Sequence, residues 1–348
     1  MKKHRSILAA ALAIVMVFTL ASCGSSDSGN DSSETGATKE NPVVLKIASQ
    51  SAEGSHEIET LEQFASIVEE KTDGAIDVQV FPSGQLGALP DTIEGVSMGT
   101  IEMVSCGLTN LQQICPSFAA YDMWLYEDAQ DVIDVYNSDL GKKLNQDIID
   151  TAGVRVLSYN NCSSGRMYLW SNKPIETMGD LDGQIIRVPS NKSISTALGA
   201  LGSTSVIGFG DMYTAAQTGV IDIGSADIST IIGAGYDEVF KYCDEMTSNF
   251  MAMSLVISEK AFSSLSEEQQ QILQDAATEA CTQWDNKQDA LNEEMMDLLD
   301  KSNSKLVTMK PEEQEKMDEL IHDAIDKYLA ETIDADTIDQ VRDITSKN

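Results

Sequence analysis

The spacing of apolar positions changes period several times along the chain, and each change marks an element. Residues 43–49 (VVLKIAS) form a short β-like run. In residues 55–72, Ile58, Leu61, Phe64, Ala65 and Val68 recur at three-and-four spacing, which predicts a helix stopped by Asp73-Gly74. Residues 75–81 alternate as a strand, 89–98 read as a helix and 101–106 as a third strand. Strands interleaved with helices predict an α/β fold. After helical 128–152 a second series follows, with strands at 154–159, 166–171, 185–189, 205–207 and 220–223. A loop helix around 178–181 and helices at 193–201 and 211–218 connect them, and two strands, 240–246 and 250–257, carry the chain back.

The stretch 266–301 holds no Pro or Gly, and Leu273, Ala277, Ala280, Trp284, Leu291, Met295 and Leu298 fall on one stripe. A helix of that length is of order 50 Å long and reaches across more than one small domain. It either braces two lobes or forms a coiled-coil seam between copies, a seam that Lys287 interrupts. Residues 311–330 predict one more amphipathic helix.

Composition narrows the function classes. The 348 residues suggest about two domains. With 56 acidic against 23 basic side chains the formal charge is -33, and no basic face for nucleic acid can form. His4, His56 and His322 are the only imidazoles and there is no Cys-x-x-Cys pair, so the usual zinc ligands are scarce and no metal or other cofactor is expected.

Lys2, Lys3 and Arg5 precede an apolar run at 7–20, too short for a stable bilayer span and suited to a signal-peptide core. The run ends in Leu20-Ala21-Ser22-Cys23, which resembles a bacterial lipobox with Cys23 as the lipidated mature N-terminus; an ordinary signal peptide with an incidental Cys is the alternative. Residues 24–41 are almost wholly polar and predict a flexible tether. Cys106, Cys115, Cys162, Cys243 and Cys281 remain, an odd and scattered set that reads best as buried free thiols.

Arginine is rare, five against 18 lysines. Arg5 leaves with the signal, Arg342 lies in a polar tail, and Arg155 begins a strand, where an exposed edge charge is the simplest reading. Arg166, in Ser-Ser-Gly-Arg-Met, and Arg187, in Ile-Ile-Arg-Val-Pro, sit among small or apolar residues. A guanidinium on such a strand needs an anionic partner: either a protein carboxylate or a ligand carboxylate gripped by two parallel hydrogen bonds.

Asn172-Lys173-Pro174-Ile175, followed by Asp180-Leu181-Asp182-Gly183 and Ile186-Arg187-Val188-Pro189, resembles the core motif of the solute-binding proteins of tripartite ATP-independent periplasmic (TRAP) transporters, the DctP type. Val80 to Gly87 (VFPSGQLG) and Phe209 to Asp222 (FGDMYTAAQTGVID) are similar to other stretches of that family, so the likeness covers nearly the whole folded chain. The resemblance implies a two-lobed periplasmic-binding-protein-like α/β fold with the long helix bracing both lobes. Expected boundaries are 1–22 signal peptide, 23–42 lipid-anchored linker, 43–163 plus about 252–285 lobe I, and 164–251 plus about 286–348 lobe II with the C-terminal helices.

By the same resemblance Arg187 is the main carboxylate anchor, Arg166 the second arginine, and Phe209 the aromatic packed on the ligand. Asp222 is followed by Ile223-Gly224-Ser225-Ala226-Asp227, so Ala226 replaces the family's ligand-contacting Asn. Ser225, Tyr168 and Trp170 complete the expected ligand-binding set. The reading is an extracytoplasmic receptor, not an enzyme, tethered to the cell membrane, which takes a small organic carboxylate and delivers it to TRAP membrane subunits. The alternatives are a sensor lipoprotein that captures a solute for a signalling partner, and a surface hydrolase using Cys162 or Ser163. For the hydrolase, no histidine lies in the central part of the chain to activate either nucleophile.

Overall fold

The computed structural model describes residues 37–163, 165–246 and 249–346. The signal segment, Cys23 and the tether up to residue 36 lie outside the described residues. The tether's last residues meet the folded body. Ala37 exchanges two hydrogen bonds with the Gln269 side chain, at 3.1 and 2.7 Å.

Eleven strands run through the described residues. The first four are β1 (Val43–Ala48), β2 (Ile76–Phe81), β3 (Met103–Gly107) and β4 (Val154–Asn160). Then come β5 (Tyr168–Ser171), β6 (Ile185–Val188), β7 (Ser203–Val206), β8 (Ile223–Ala226) and β9 (Tyr242–Asp244). The last two are β10 (Met253–Ser258) and β11 (Lys305–Val307). They form two sheets, β2-β1-β3-β10-β4 and β11-β9-β5-β8-β6-β7. The fold is a two-lobed α/β fold, one sheet at the core of each lobe.

Each lobe is built by burying helix stripes on its sheet. In the first, Ser55 caps helix His56–Lys71 by accepting from the Ile58 amide, and Leu61, Phe64 and Val68 pack with Leu45 and Ile47 of β1. In the second, Ile186 and Val188 of β6 bury against Ile194, Ala197 and Leu198 of helix Lys192–Gly199 and against Met317 and Ile321 of helix Pro311–Thr332. The chain passes between the lobes after β4 and again before β10, which lies antiparallel between β3 and β4.

The unbroken helix expected at 266–301 is two helices, Glu267–Cys281 and Gln288–Lys301, separated by a 3-10 turn at Thr282–Trp284. Distant side chains hold the break. The Trp284 indole donates to Thr60 at 2.8 Å, and Asp285 accepts from the Tyr159 hydroxyl at 2.8 Å and from Asn161 at 3.2 Å. Most of the stripe is consumed inside the molecule, Leu273, Ala277 and Ala280 in the first lobe and Met295 in the second, where Leu299 is buried in place of the expected Leu298, which is only partly buried. Together the two helices connect the lobes.

Other boundaries moved for local reasons. The strand expected at 220–223 is β8, three residues later. The intervening turn folds back on helix Phe209–Gln217, with the amides of Val220 and Ile221 donating to the Ala215 carbonyl. The helix expected at 128–152 divides at Ser138, which caps the second part through the Gly141 amide. The tail holding Arg342 is a helix, Ala335–Thr345, that buries Ile338 and Val341. It packs on Ala129–Asn137 and Asp139–Ala152 and buries Val341 with the first lobe's core and Ile338 with the second's.

Candidate functional site

All strands of the first sheet but β10 run parallel, and β1, β3 and β4 end at one edge, marked by Ser49, Gly107 and Asn160. From that edge the chain crosses to the second sheet, where β6 and β8 end at Val188 and Ala226, opposite the start of β5 at Tyr168. The carboxyl ends of both sheets therefore flank the crossings. That is where open α/β sheets hold ligands.

Arg187 lies on β6 between β8 and β7, on the sheet face opposite Ile186 and Val188. It is 4% exposed. Nε donates to the Ile207 carbonyl at 2.8 Å and Nη1 to the Ser225 carbonyl at 3.0 Å, while the Ser225 hydroxyl donates to the Arg187 carbonyl at 2.9 Å. Among the described residues no carboxylate pairs with it. Burial pushes its pKa down to about 10, opposed by Tyr236, so it remains a cation at neutral pH. Two carbonyls fix the fork in place, and a desolvated positive charge is left without a protein anion.

Arg166 stands two residues before β5, half-buried and without an ion pair among the described residues. Its charge bears on Tyr168, whose hydroxyl is pushed up to about 12, mainly by burial and against the pull of Arg166. Phe209 opens helix Phe209–Gln217 immediately after the Ile207-Gly208 turn that holds Arg187. One face of its ring stacks on Tyr236, centroids 4.9 Å apart and planes 19° from parallel. The Tyr236 hydroxyl also donates to the Phe209 carbonyl at 3.1 Å.

Ser225 and Ala226 close β8 beside Arg187 and Tyr168. Trp170 has a different place: it is fully buried with Met212, Phe240 and Leu299, and its indole N–H donates to the Ala226 carbonyl at 2.9 Å. It presents no accessible surface to a solute and acts by fixing Ala226. The arrangement thus joins Arg187, Ala226, Tyr168 and Phe209 on one side of one sheet, while Ser225, by the alternation of β8, turns its side chain to the other face. Cys23 lies outside the described residues.

Tyr236 gave no sequence signal, because its role depends on stacking behind Phe209, 27 residues away. Asn191, which caps helix Lys192–Gly199, was also missed; its side chain donates to Asn110 of the first lobe at 2.7 Å. Cys106, Cys115, Cys162, Cys243 and Cys281 are buried free thiols, and burial drives the Cys162 thiol well above its ordinary value. No group of three or more potential metal-binding His, Cys, Asp or Glu residues occurs among the described residues.

Comparison with known proteins agrees with this architecture. The family of bacterial extracellular solute-binding proteins, family 7 (DctP), matches residues 47–332. A solute-binding protein of Roseobacter denitrificans is 32% identical over 211 residues, 60% of this chain and 64% of that protein. Among solved structures, a TRAP periplasmic solute-binding protein from Roseobacter denitrificans with bound L-galactonate superposes with a TM-score of 0.78 at 25% identity, covering 88% of this chain and 99% of that one. One from Desulfovibrio salexigens with bound orotic acid gives 0.79 at 25% identity, covering 87% and 99%.

Proposed function

Because this chain belongs to the DctP family of bacterial extracellular solute-binding proteins, we propose that it captures a small organic carboxylate between its lobes and delivers it to TRAP membrane subunits. One observation carries the choice of a carboxylate: Arg187 is buried, held by two backbone carbonyls and paired with no carboxylate among the described residues. A planar carboxylate placed against it supplies the missing charge and two acceptors at once. The two similar proteins with bound L-galactonate and orotic acid, each a carboxylic acid, support the same choice.

In this reading Arg187 anchors the carboxylate, Arg166 approaches a second oxygen, and the outer face of Phe209 packs on the carbon skeleton. Ala226, in place of a polar side chain, leaves that wall apolar. Closure of the lobes excludes water and strengthens the Arg187 contacts. Cys23 carries a lipid that keeps the receptor at the outer face of the cell membrane.

A thermal-shift screen of carboxylic acids against their amides and alcohols tests the receptor role. A true ligand at a hundredfold excess over Kd stabilises the folded form by about 2.7 kcal/mol. Uncharged analogues are expected to give no shift, and equal shifts for acids and amides would remove the carboxylate from the proposal. Metabolic labelling with a fatty-acid analogue tests the anchor, since Cys23→Ser must abolish incorporation.

A further inference from the structure

The edge of the first sheet at which β1, β3 and β4 end is also polar, but of the opposite character. Glu57, in the first turn of helix His56–Lys71, is 6% exposed, and its carboxylate accepts from the Ser49 hydroxyl at 2.7 Å and the Ser51 hydroxyl at 2.6 Å. Among the described residues no Lys, Arg or His pairs with it. Nearby strand ends bring further polar groups. The Ser105 hydroxyl on β3 is buried without a partner, and at Asn160, the last residue of β4, both the amide nitrogen and the amide oxygen are buried without one.

These groups share one sheet face. Leu45 and Ile47 on β1, and Met103 on β3, pack toward helices His56–Lys71 and Glu267–Cys281, and strict alternation puts Ser49 and Ser105 on the same side. On β4 an irregularity opposite Leu255 and Val256 resets the alternation, which places Ser158 and Asn160 on that side as well. Cys162, just past Asn160 where the chain crosses to the second lobe, feels the charges of both Glu57 and Asp227, so Glu57 lies toward the crossing. Each buried end of Asn160 left without a partner is unfavourable. A solute group that both donates and accepts removes that cost.

Resting on the carboxylate-receptor reading, we propose that Glu57, Asn160 and Ser105 form the opposite pole of the same site. They select a solute whose end remote from the carboxylate donates hydrogen bonds and carries no second negative charge. A carboxylate accepts only, so any solute group that reaches Glu57 beside Ser49 and Ser51 must donate, as a hydroxyl or an ammonium does. Asn160 and Ser105 match a hydroxyl, which gives and takes. A dicarboxylate brings its second charge against Glu57 in a water-excluded site, where like charges are strongly unfavourable.

Calorimetry on the mature chain separates the possibilities, with 4-hydroxybutyrate, 4-aminobutyrate, succinate and butyrate as a matched four-carbon set and L-galactonate with galactarate as a six-carbon pair. The acid with a donor at its far end is expected to bind at least about tenfold tighter than the dicarboxylate of the same length. Glu57→Gln, which keeps the shape, should narrow that gap by admitting the dicarboxylate. Asn160→Leu should weaken the donor-bearing acids about tenfold relative to butyrate. Preference between the hydroxyl and amino acids of the set identifies the donor. Dicarboxylates binding as tightly as their counterparts, or a gap that Glu57→Gln leaves intact, overturns this inference while the receptor reading stands. No binding by any acid of the panel overturns both.

Discussion

Arg155 and Arg187 occupy comparable places, each on a strand of one of the two sheets, and the protein treats them in opposite ways. Arg155 was read as an exposed edge charge, yet it is half-buried on β4 in a two-pronged pair with Glu259, at 2.8 and 2.9 Å, with its guanidinium 4.4 Å from the centre of the Phe262 ring. Arg187 is more deeply buried and receives only carbonyl dipoles. A charge completed within the chain serves stability, whereas a buried charge left incomplete is stabilised by whatever binds there.

The largest effect should come from removing the incomplete charge. Arg187→Ala is expected to cost about 2–5 kcal/mol of solute affinity by calorimetry while the ligand-free melting temperature barely falls. Weakening of less than threefold would mean that the anchor lies elsewhere.

Asp122 extends the comparison to a buried acid. It is fully enclosed, its Oδ1 accepts from the Trp124 amide at 3.2 Å, its Oδ2 has no partner, and burial pushes its carboxyl up to about 6. Its folded pKa is above the unfolded value near 3.8, so its contribution to stability is full below that pH and is lost as pH rises through about 6. Asp122→Asn should therefore gain about 1–3 kcal/mol at pH 8 and lose that advantage at pH 4, read by denaturant titration at both.

The completed charge gives the reverse of Arg187. Arg155→Ala should lower stability by about 1 kcal/mol, visible in the melting temperature, with solute affinity unchanged. A loss of affinity would show that the first sheet is strained by the change.

The smallest effect belongs to an exposed completed charge. His56 Nε2 meets both oxygens of Glu294, at 3.0 and 3.1 Å, and Nδ1 meets Glu59 at 3.3 Å. Burial lowers its pKa, but the hydrogen bonds and charges of Glu294 and Glu59 outweigh this and hold it above 6.5. The stabilisation is present at low pH and is lost as pH rises through the raised value. His56→Gln should flatten the stability profile above pH 6.5, and an unchanged profile would assign that slope to other groups.

The fold class was legible because local periodicity encodes it. Helix Leu89–Met98 and strand β1 fall where the apolar spacing put them. The break between Cys281 and Gln288 was not legible, since no Pro or Gly marks it and its causes are Thr60, Tyr159 and Asn161, far away in sequence. At the site, Arg187, Arg166 and Phe209 stood out through rarity and motif. Trp170 was a candidate wall residue, and only packing put it inside the second lobe.

By itself the sequence determined the α/β class, the acidic surface, the resemblance to the family, and which few arginines a carboxylate receptor has to work with. Those follow from composition and short-range spacing, which survive without knowledge of neighbours. The tertiary structure alone decided that Glu259 completes Arg155, that no carboxylate among the described residues completes Arg187, and that Glu57 and Asn160 are both buried toward the end of the first sheet where β1 and β4 finish. The physical reason is that the energy of a buried charge depends on what lies within a few ångströms of it, and those neighbours come from segments far apart in sequence.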